Sequence, residues 1–147
     1  MPVDPSLVGR TYPPSRPYEV GREKIREFAD AIGDPSPVFR DPEAAQALGY
    51  PDVLAPPTFP IVFALDGAFA VLADLGIELQ NVVHGDQNFR YARPLRPGDR
   101  LVTTVEIRAV KHLAGNDVLT VDCVSATEAG EHVVTSTSTL VCRGESA

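Results

Sequence analysis

The second half of this chain changes its hydrophobic period. Residues 81–91, 100–112, 117–127 and 132–142 alternate apolar with polar side chains and are rich in valine and threonine. A period of two lays every second side chain on one face of a sheet, and β-branched residues suit that half-buried surface. In the second segment Leu101, Thr103, Val105, Ile107 and Ala109 share one face. The links Arg96-Pro97-Gly98-Asp99, Gly115-Asn116 and Ala129-Gly130 carry turn formers, so the spacing predicts four strands in an antiparallel meander. A sheet apolar on one side needs a cover. Residues 58–75 supply the longest helical candidate. Phe59, Val62, Phe63, Phe69, Ala70 and Leu72 spread over more than one of its faces, which predicts burial on most sides. Pro60 fits its first turn. Asp66 stands out in this apolar run and reads first as an exposed face or an interface, second as a functional carboxylate.

The first half is punctuated differently. Residues 1–19 form an arm with Pro2, Pro5, Pro13, Pro14 and Pro17, with room for one short strand near Thr11 or Tyr18. Residues 21–32 predict a helix, because Ile25, Phe28, Ala29 and Ile32 fall at helical spacing and Gly33 suits its end. Residues 41–48 predict a short second helix: Asp41 as N-cap, Pro42 at the first position, Glu43 at the positive end of the dipole and Gly49 past the end. Residues 51–57 read as a proline-containing loop, and 143–147 as a flexible tail. A chain of 147 residues suits one domain, 1–147, large enough to bury a sizeable core. The class is α+β, a helix wrapped by an antiparallel sheet.

A net charge of −7 argues against nucleic acid as a partner. Cys123 and Cys142 lie in strand candidates with no metal-ligand spacing, so they read as buried free thiols and no metal is expected. Residues 1–8 lack the apolar core of a signal peptide, and Asp66 and Asp74 interrupt the most apolar stretch, so a membrane span is not expected. The expectation is a cytoplasmic protein.

Residues 33–43 read Gly-Asp-Pro-Ser-Pro-Val-Phe-Arg-Asp-Pro-Glu. This stretch resembles the motif of MaoC-like (R)-specific hydratases and dehydratases: Gly-Asp-x-Asn-Pro-(aliphatic)-His, then Asp-Pro-Glu-x-Ala. Gly33, Asp34, Pro37, Val38, Asp41, Pro42, Glu43 and Ala45 fit. Ser36 stands where the family has Asn, and Phe39 where it has its catalytic His. The segment Leu54-Ala55-Pro56-Pro57-Thr58-Phe59 matches the family's Ala-His-Gly region. His84-Gly85-Asp86-Gln87, Phe89, Tyr91, Arg93-Pro94-Leu95 and Gly98-Asp99 resemble a small actinobacterial branch. That branch includes the non-catalytic subunits of (3R)-hydroxyacyl-ACP dehydratases of the HadA and HadC kind. The resemblance implies the hot-dog fold, in which the sheet wraps one long helix. It also implies an acyl-ACP or acyl-CoA thioester as substrate, no cofactor, and a homodimer or a heterodimer with a catalytic MaoC-like chain.

The family's reaction needs a base, an acid and a donor to the thioester carbonyl. The resemblance gives the proton work to an Asp and a His, and the carbonyl to a backbone N–H. Here the Asp position is kept as Asp34, the His position is Phe39, and the donor position is Pro57, which has no N–H. Asp34 also reads as a turn residue bonding its own backbone, and Phe39 as a packing residue filling the former His space. His84, with Asp86 two residues on, is an alternative base, though a structural histidine is the first reading. His112 and His132 flank turns and read as exposed. Pro57, Thr58, Phe59, Phe63, His84 and Arg93 are candidate substrate contacts, with core packing the competing role for the phenylalanines. Arg90, Arg93, Arg96 and Arg100 cluster in one short segment; such a cluster reads as a solvated face or as a contact for an acidic, phosphate-bearing carrier. The expected function is a subunit that cannot complete dehydration of (3R)-3-hydroxyacyl thioesters alone. The alternatives are a non-enzymatic acyl-thioester-binding homodimer and a self-sufficient hydratase using Asp34 and His84.

Overall fold

The computed structural model describes residues 2–144. The tail expected at 143–147 therefore lies mostly outside the described residues. Three helices, α1 (Arg22–Ala31), α2 (Pro42–Ala47) and α3 (Ile61–Asp74), accompany five strands, β1 (Tyr18–Glu19), β2 (Val82–Tyr91), β3 (Arg100–Leu113), β4 (Asn116–Thr127) and β5 (His132–Cys142). The strands form one antiparallel sheet in the order β1-β3-β4-β5-β2. The four long strands fall within a residue or so of the segments expected from alternation.

The meander is shorter than expected. Only β3, β4 and β5 follow one another across the sheet; β2 pairs with β5 at the far edge, not with β3. Residues 92–99 carry the chain from one edge of the sheet to the other. Three register shifts also interrupt the alternation. One between Ile107 and Ala109 moves Ala109 off the face it was expected to share, and Val110 packs against the core instead.

α3 lies across the sheet. Ala64, Ala68, Val71 and Leu72 pack on Val105, Ile107, Leu119, Val121, Cys123 and Leu140. The approach is close because position 67 is glycine: a Cβ there would stand 2.6 Å from Val105 Cγ2 and 3.2 Å from Cys123 Sγ. Both cysteines are buried free thiols. A second cluster joins Ile25, Ala29, Phe39, Val53, Phe59, Phe63 and Leu95 around the start of α3. The expectation that α3 is buried on most sides fails on its outer face. Asp66, Ala70 and Ala73 are exposed, and Phe69 is 42% exposed, because the sheet covers one side of the helix only. On α1, Ile25 and Ala29 are buried as expected, but Ile32, the capping residue, is exposed. No helix among the described residues is long and apolar enough to cross a membrane.

Candidate functional site

The 33–43 loop is held at both ends by helix termini. α1 closes with the Asp34 N–H on Ala29 O (2.9 Å) and the Gly33 N–H on Asp30 O (3.1 Å), with Gly33 at φ +71°. This pair of bonds is a Schellman end, which needs a residue in the left-handed region at the glycine. Downstream, Asp41 caps α2 by accepting from the Glu43 N–H at 3.0 Å, with Pro42 at the first helical position. Arg40 clamps the loop from the side, donating to Asp30 and to the Asp34 carbonyl. These caps were legible in the sequence; the Arg40 clamp was not.

Within this frame Asp34 behaves as a turn residue. One carboxylate oxygen accepts the Ser36 N–H at 3.0 Å, and the other has no partner among the described residues. Phe39 is 9% exposed and belongs to the cluster of Phe59, Ile25, Val53 and Leu95. The side chain in the expected histidine position thus fills space and can neither take nor give a proton.

Pro57 and Thr58 lie exposed just before α3, whereas Phe59 is wholly buried. Phe59 meets Phe28 edge-on, with ring centroids 5.5 Å apart, and Phe63 at 6.4 Å; such pairs add to burial. Phe59 is therefore core, and Phe63, stacked 5.1 Å from Tyr18, is core with one side toward a cavity. One contact here was not anticipated. The Tyr91 hydroxyl donates to Pro57 O at 2.7 Å, and burial raises the Tyr91 phenol above its ordinary range. The position to which the resemblance gave the carbonyl donor, Pro57, thus has no N–H, as expected, and its own carbonyl is held by a phenol.

His84 sits on β2, away from this loop. Its Nε2 bonds Gln87 Oε1 at 3.0 Å, and Ser138 Oγ donates to the same oxygen at 2.7 Å. An oxygen with those two neighbours asks His84 to carry its proton on Nε2. A bulge at Gly85 pairs His84 with Leu140 and Asp86 with the next residue back, Thr139. The two therefore point to opposite faces, although residues two apart on a regular strand would share one. Asp34 and His84 are joined by no hydrogen bond or ion pair among the described residues. His112 and His132 are exposed as expected, and His112 pairs with Asp117.

The arginine cluster divides in two. Arg93 forms a two-pronged bond with Asp99 (2.9 Å each) and a third with Glu131 at 2.8 Å. Asp99 is 8% exposed and also accepts the Arg96 N–H. The bonds to Asp99 raise Arg93 further above the arginine range. Arg93 is thus a staple across the 92–99 crossover. Arg100 is shared between Glu19 and Glu128. Arg90 and Arg96 are exposed, with no side-chain partner among the described residues. The described residues also hold no group of three or more potential metal ligands.

Comparisons with known proteins agree on one architecture. A family model described as the FAS1-like dehydratase domain region matches residues 6–136. A UPF0336 protein of Streptomyces avermitilis is 59% identical over 97% of this chain and 97% of its own length. A chain of the C-terminally truncated HadBC (3R-hydroxyacyl-ACP dehydratase) complex of Mycobacterium tuberculosis aligns with a TM-score of 0.84. It is 30% identical over 96% of this chain and 99% of that one. A MaoC-like dehydratase gives a TM-score of 0.88 at 34% identity, over 95% of this chain but 43% of that one. The sheet wrapped on α3 is the hot-dog fold expected from the motif.

Proposed function

The chain belongs to the FAS1-like dehydratase-region family of hot-dog proteins, and from that premise we propose that it is a dehydratase or hydratase subunit for (3R)-3-hydroxyacyl thioesters that relies on a catalytic partner chain. The observation that carries this reading is the buried phenyl ring of Phe39, packed into the core where proton transfer would be required. Pro57 supports it, since a proline cannot polarise the thioester carbonyl through an N–H. In the assembled enzyme the partner's base takes the α-proton, its electron pair forms the double bond, and the 3-hydroxyl leaves as water after protonation. The thioester itself acidifies the α-proton, so the reading calls for no metal or redox cofactor.

This chain's share is structural and positional. It supplies an apolar wall, a sheet edge for the partner and a surface for the carrier. The bare edge is β2, the last strand of the sheet. The candidate substrate contacts are the exposed Pro57 and Thr58, beside Tyr91, and the exposed His84, near the other end of β2; Phe59 and Phe63 act from the core. Arg90 and Arg96 are the cations free to meet the phosphate of an ACP or CoA arm, while Arg93 is occupied. The assembly is proposed to be cytoplasmic, and HadBC, itself a complex, is the model for its heteromeric form.

Hydration of a crotonyl thioester tests the proposal. The purified chain alone should be silent, and a MaoC-like chain with an intact Gly-Asp-x-Asn-Pro-x-His motif should bring turnover when mixed with it. Robust turnover by the chain alone, abolished by Asp34→Asn, would instead establish the self-sufficient reading. A stable homodimer that binds acyl thioester but never gains activity with any such partner would establish the non-enzymatic one.

A further inference from the structure

Residues 55–61 hold one free backbone donor. Ala55 N–H bonds Leu95 O at 2.9 Å, Phe59 N–H bonds Pro56 O at 2.9 Å and Ile61 N–H bonds Thr58 O at 3.2 Å. Pro56, Pro57 and Pro60 have no N–H to give. Thr58 N–H is left over: the residue is exposed, and its amide has no partner among the described residues.

The Tyr91 hydroxyl decides where that donor points. It donates to Pro57 O at 2.7 Å. Pro57 C=O and Thr58 N–H belong to one peptide group, which is planar and trans. Fixing the carbonyl therefore fixes the N–H, antiparallel to it and facing away from Tyr91. The bond also draws electron density onto the carbonyl oxygen, and an amide polarised in this way donates more strongly through its N–H. Tyr91 closes β2, where it pairs with Val134, so the phenol reaches Pro57 from a sheet strand and not from a loop. Burial raises the phenol above its ordinary range, so it keeps its proton, and with it its role as donor, throughout the neutral range.

We propose that Thr58 N–H is the donor to the thioester carbonyl, one residue beyond the position that Pro57 leaves empty, and that Tyr91 is the positioning residue that aims it. The thioester rests on the functional reading above; the oriented amide does not. A division of labour follows. This chain holds the carbonyl oxygen as negative charge gathers on it, and the partner's base takes the α-proton. Phe39 removes the proton chemistry from this chain without removing the donor.

The test uses crotonyl-pantetheine, isotope-labelled at its thioester carbonyl. Bound to the wild-type chain, with and without the MaoC-like chain of intact motif, the ligand should show a lowered carbonyl stretching frequency and shift the Thr58 amide resonance downfield. Tyr91→Phe keeps the ring and removes the bond. It should reduce both shifts and lower kcat of the mixed assembly roughly tenfold, with KM within about twofold. Tyr12→Phe, which removes a phenol from Asp74 at the far end of α3, should change none of these. A fall in kcat with both shifts intact would make Tyr91 a structural residue only and overturn the proposal. So would a wild-type Thr58 amide indifferent to the ligand, or a Tyr91→Phe chain indistinguishable from wild type. Absence of turnover from the wild-type mixture, with both shifts present and sensitive to Tyr91, would sink the functional reading and leave the donor standing.

Discussion

Along β3 the chain covers its own sheet edge, whereas along β2 it leaves the edge bare. The arm runs beside β3 from Gly9, whose N–H bonds Ile107 O, through Tyr12 and Ser15 to β1, where Tyr18 pairs with Leu101 and Glu19 with Arg100. β2 has 10 residues, close to the 11 of its neighbour β5, yet it pairs only with β5. Ala92 N–H points inward to Val133 O, so by alternation Tyr91, Phe89 and Gln87 turn their N–H and C=O groups outward. Long bare edges invite pairing with another strand and are normally blunted. Among the described residues a proline-rich arm covers one edge and nothing covers the other, which leaves the second open to a partner strand. That is the physical content of the partner-dependent reading.

The largest expected effect comes from undoing the covered edge. Removing residues 1–16 takes Val3, Leu7 and Tyr12 from the core and should cost about 3 kcal/mol or more, read as a lower urea midpoint. The exposed β3 should then self-associate, seen as concentration-dependent sedimentation. If the truncated chain stays monomeric and as stable as the parent, the contrast between the edges is wrong.

Next in size is the crossover that joins the two edges. Arg93→Ala strands Asp99, which is almost buried, and should cost roughly 2–4 kcal/mol in urea unfolding. Arg96→Glu, on the same segment but exposed, should leave stability within about 0.5 kcal/mol and weaken only carrier binding at low salt. The sequence showed four arginines close together and no means of ranking them. Their division into staples and free cations depends on Asp99 and Glu131, and Glu131 comes from another part of the chain.

The rest of the fold divides along the same line. Strand limits and helix caps are local properties, and Asp41, Pro42, Gly33 and the Val/Thr alternation declared them. The pairing of β2 with β5 is a long-range choice, and nothing within residues 81–91 specifies the neighbour. The bulges at Gly85 and Arg108 each add a single residue to one strand, too small a change to disturb the composition that marked it. They nonetheless decide that Asp86 turns away from His84 and that Val110, not Ala109, reaches the core. At the site, the roles of Asp34 as a turn and Phe39 as packing were legible because each follows from side-chain chemistry. The Tyr91–Pro57 bond was not, since it joins residues distant in sequence.

Paired proline substitutions on β2 sharpen the comparison further. Asn88→Pro removes an inward N–H of the ladder and should cost roughly 1–3 kcal/mol. Gln87→Pro removes an outward N–H together with the amide oxygen that holds His84 and Ser138; it should leave the ladder to β5 intact, cost less than Asn88→Pro in the lone chain and block assembly. If both behave alike in unfolding and association, β2 is not a pairing edge.

The smallest effect belongs to the middle of the sheet. Burial pushes the Cys123 thiol up to about 12 and the Cys142 thiol up to about 11, from an unfolded value near 9. A raised folded-state value means that stability is complete below about pH 9 and is lost as pH climbs toward about 12. At pH 10 the loss should be roughly 1 kcal/mol per thiol, and Cys123→Ala should flatten the fall in the urea midpoint between pH 8 and pH 10. Assembly through β2 should be indifferent to this change, because neither thiol touches that edge's outward groups.

Hydrogen–deuterium exchange at β2 addresses the central claim directly. In the chain alone, the amides of Gln87, Phe89 and Tyr91 should exchange fast while those of Val105 and Ile107, under α3, stay protected. On adding a His-bearing MaoC-like chain, the three β2 amides should become protected together, and the arm-covered edge should not change. Fast exchange at all three in a fully formed, active assembly would contradict the account.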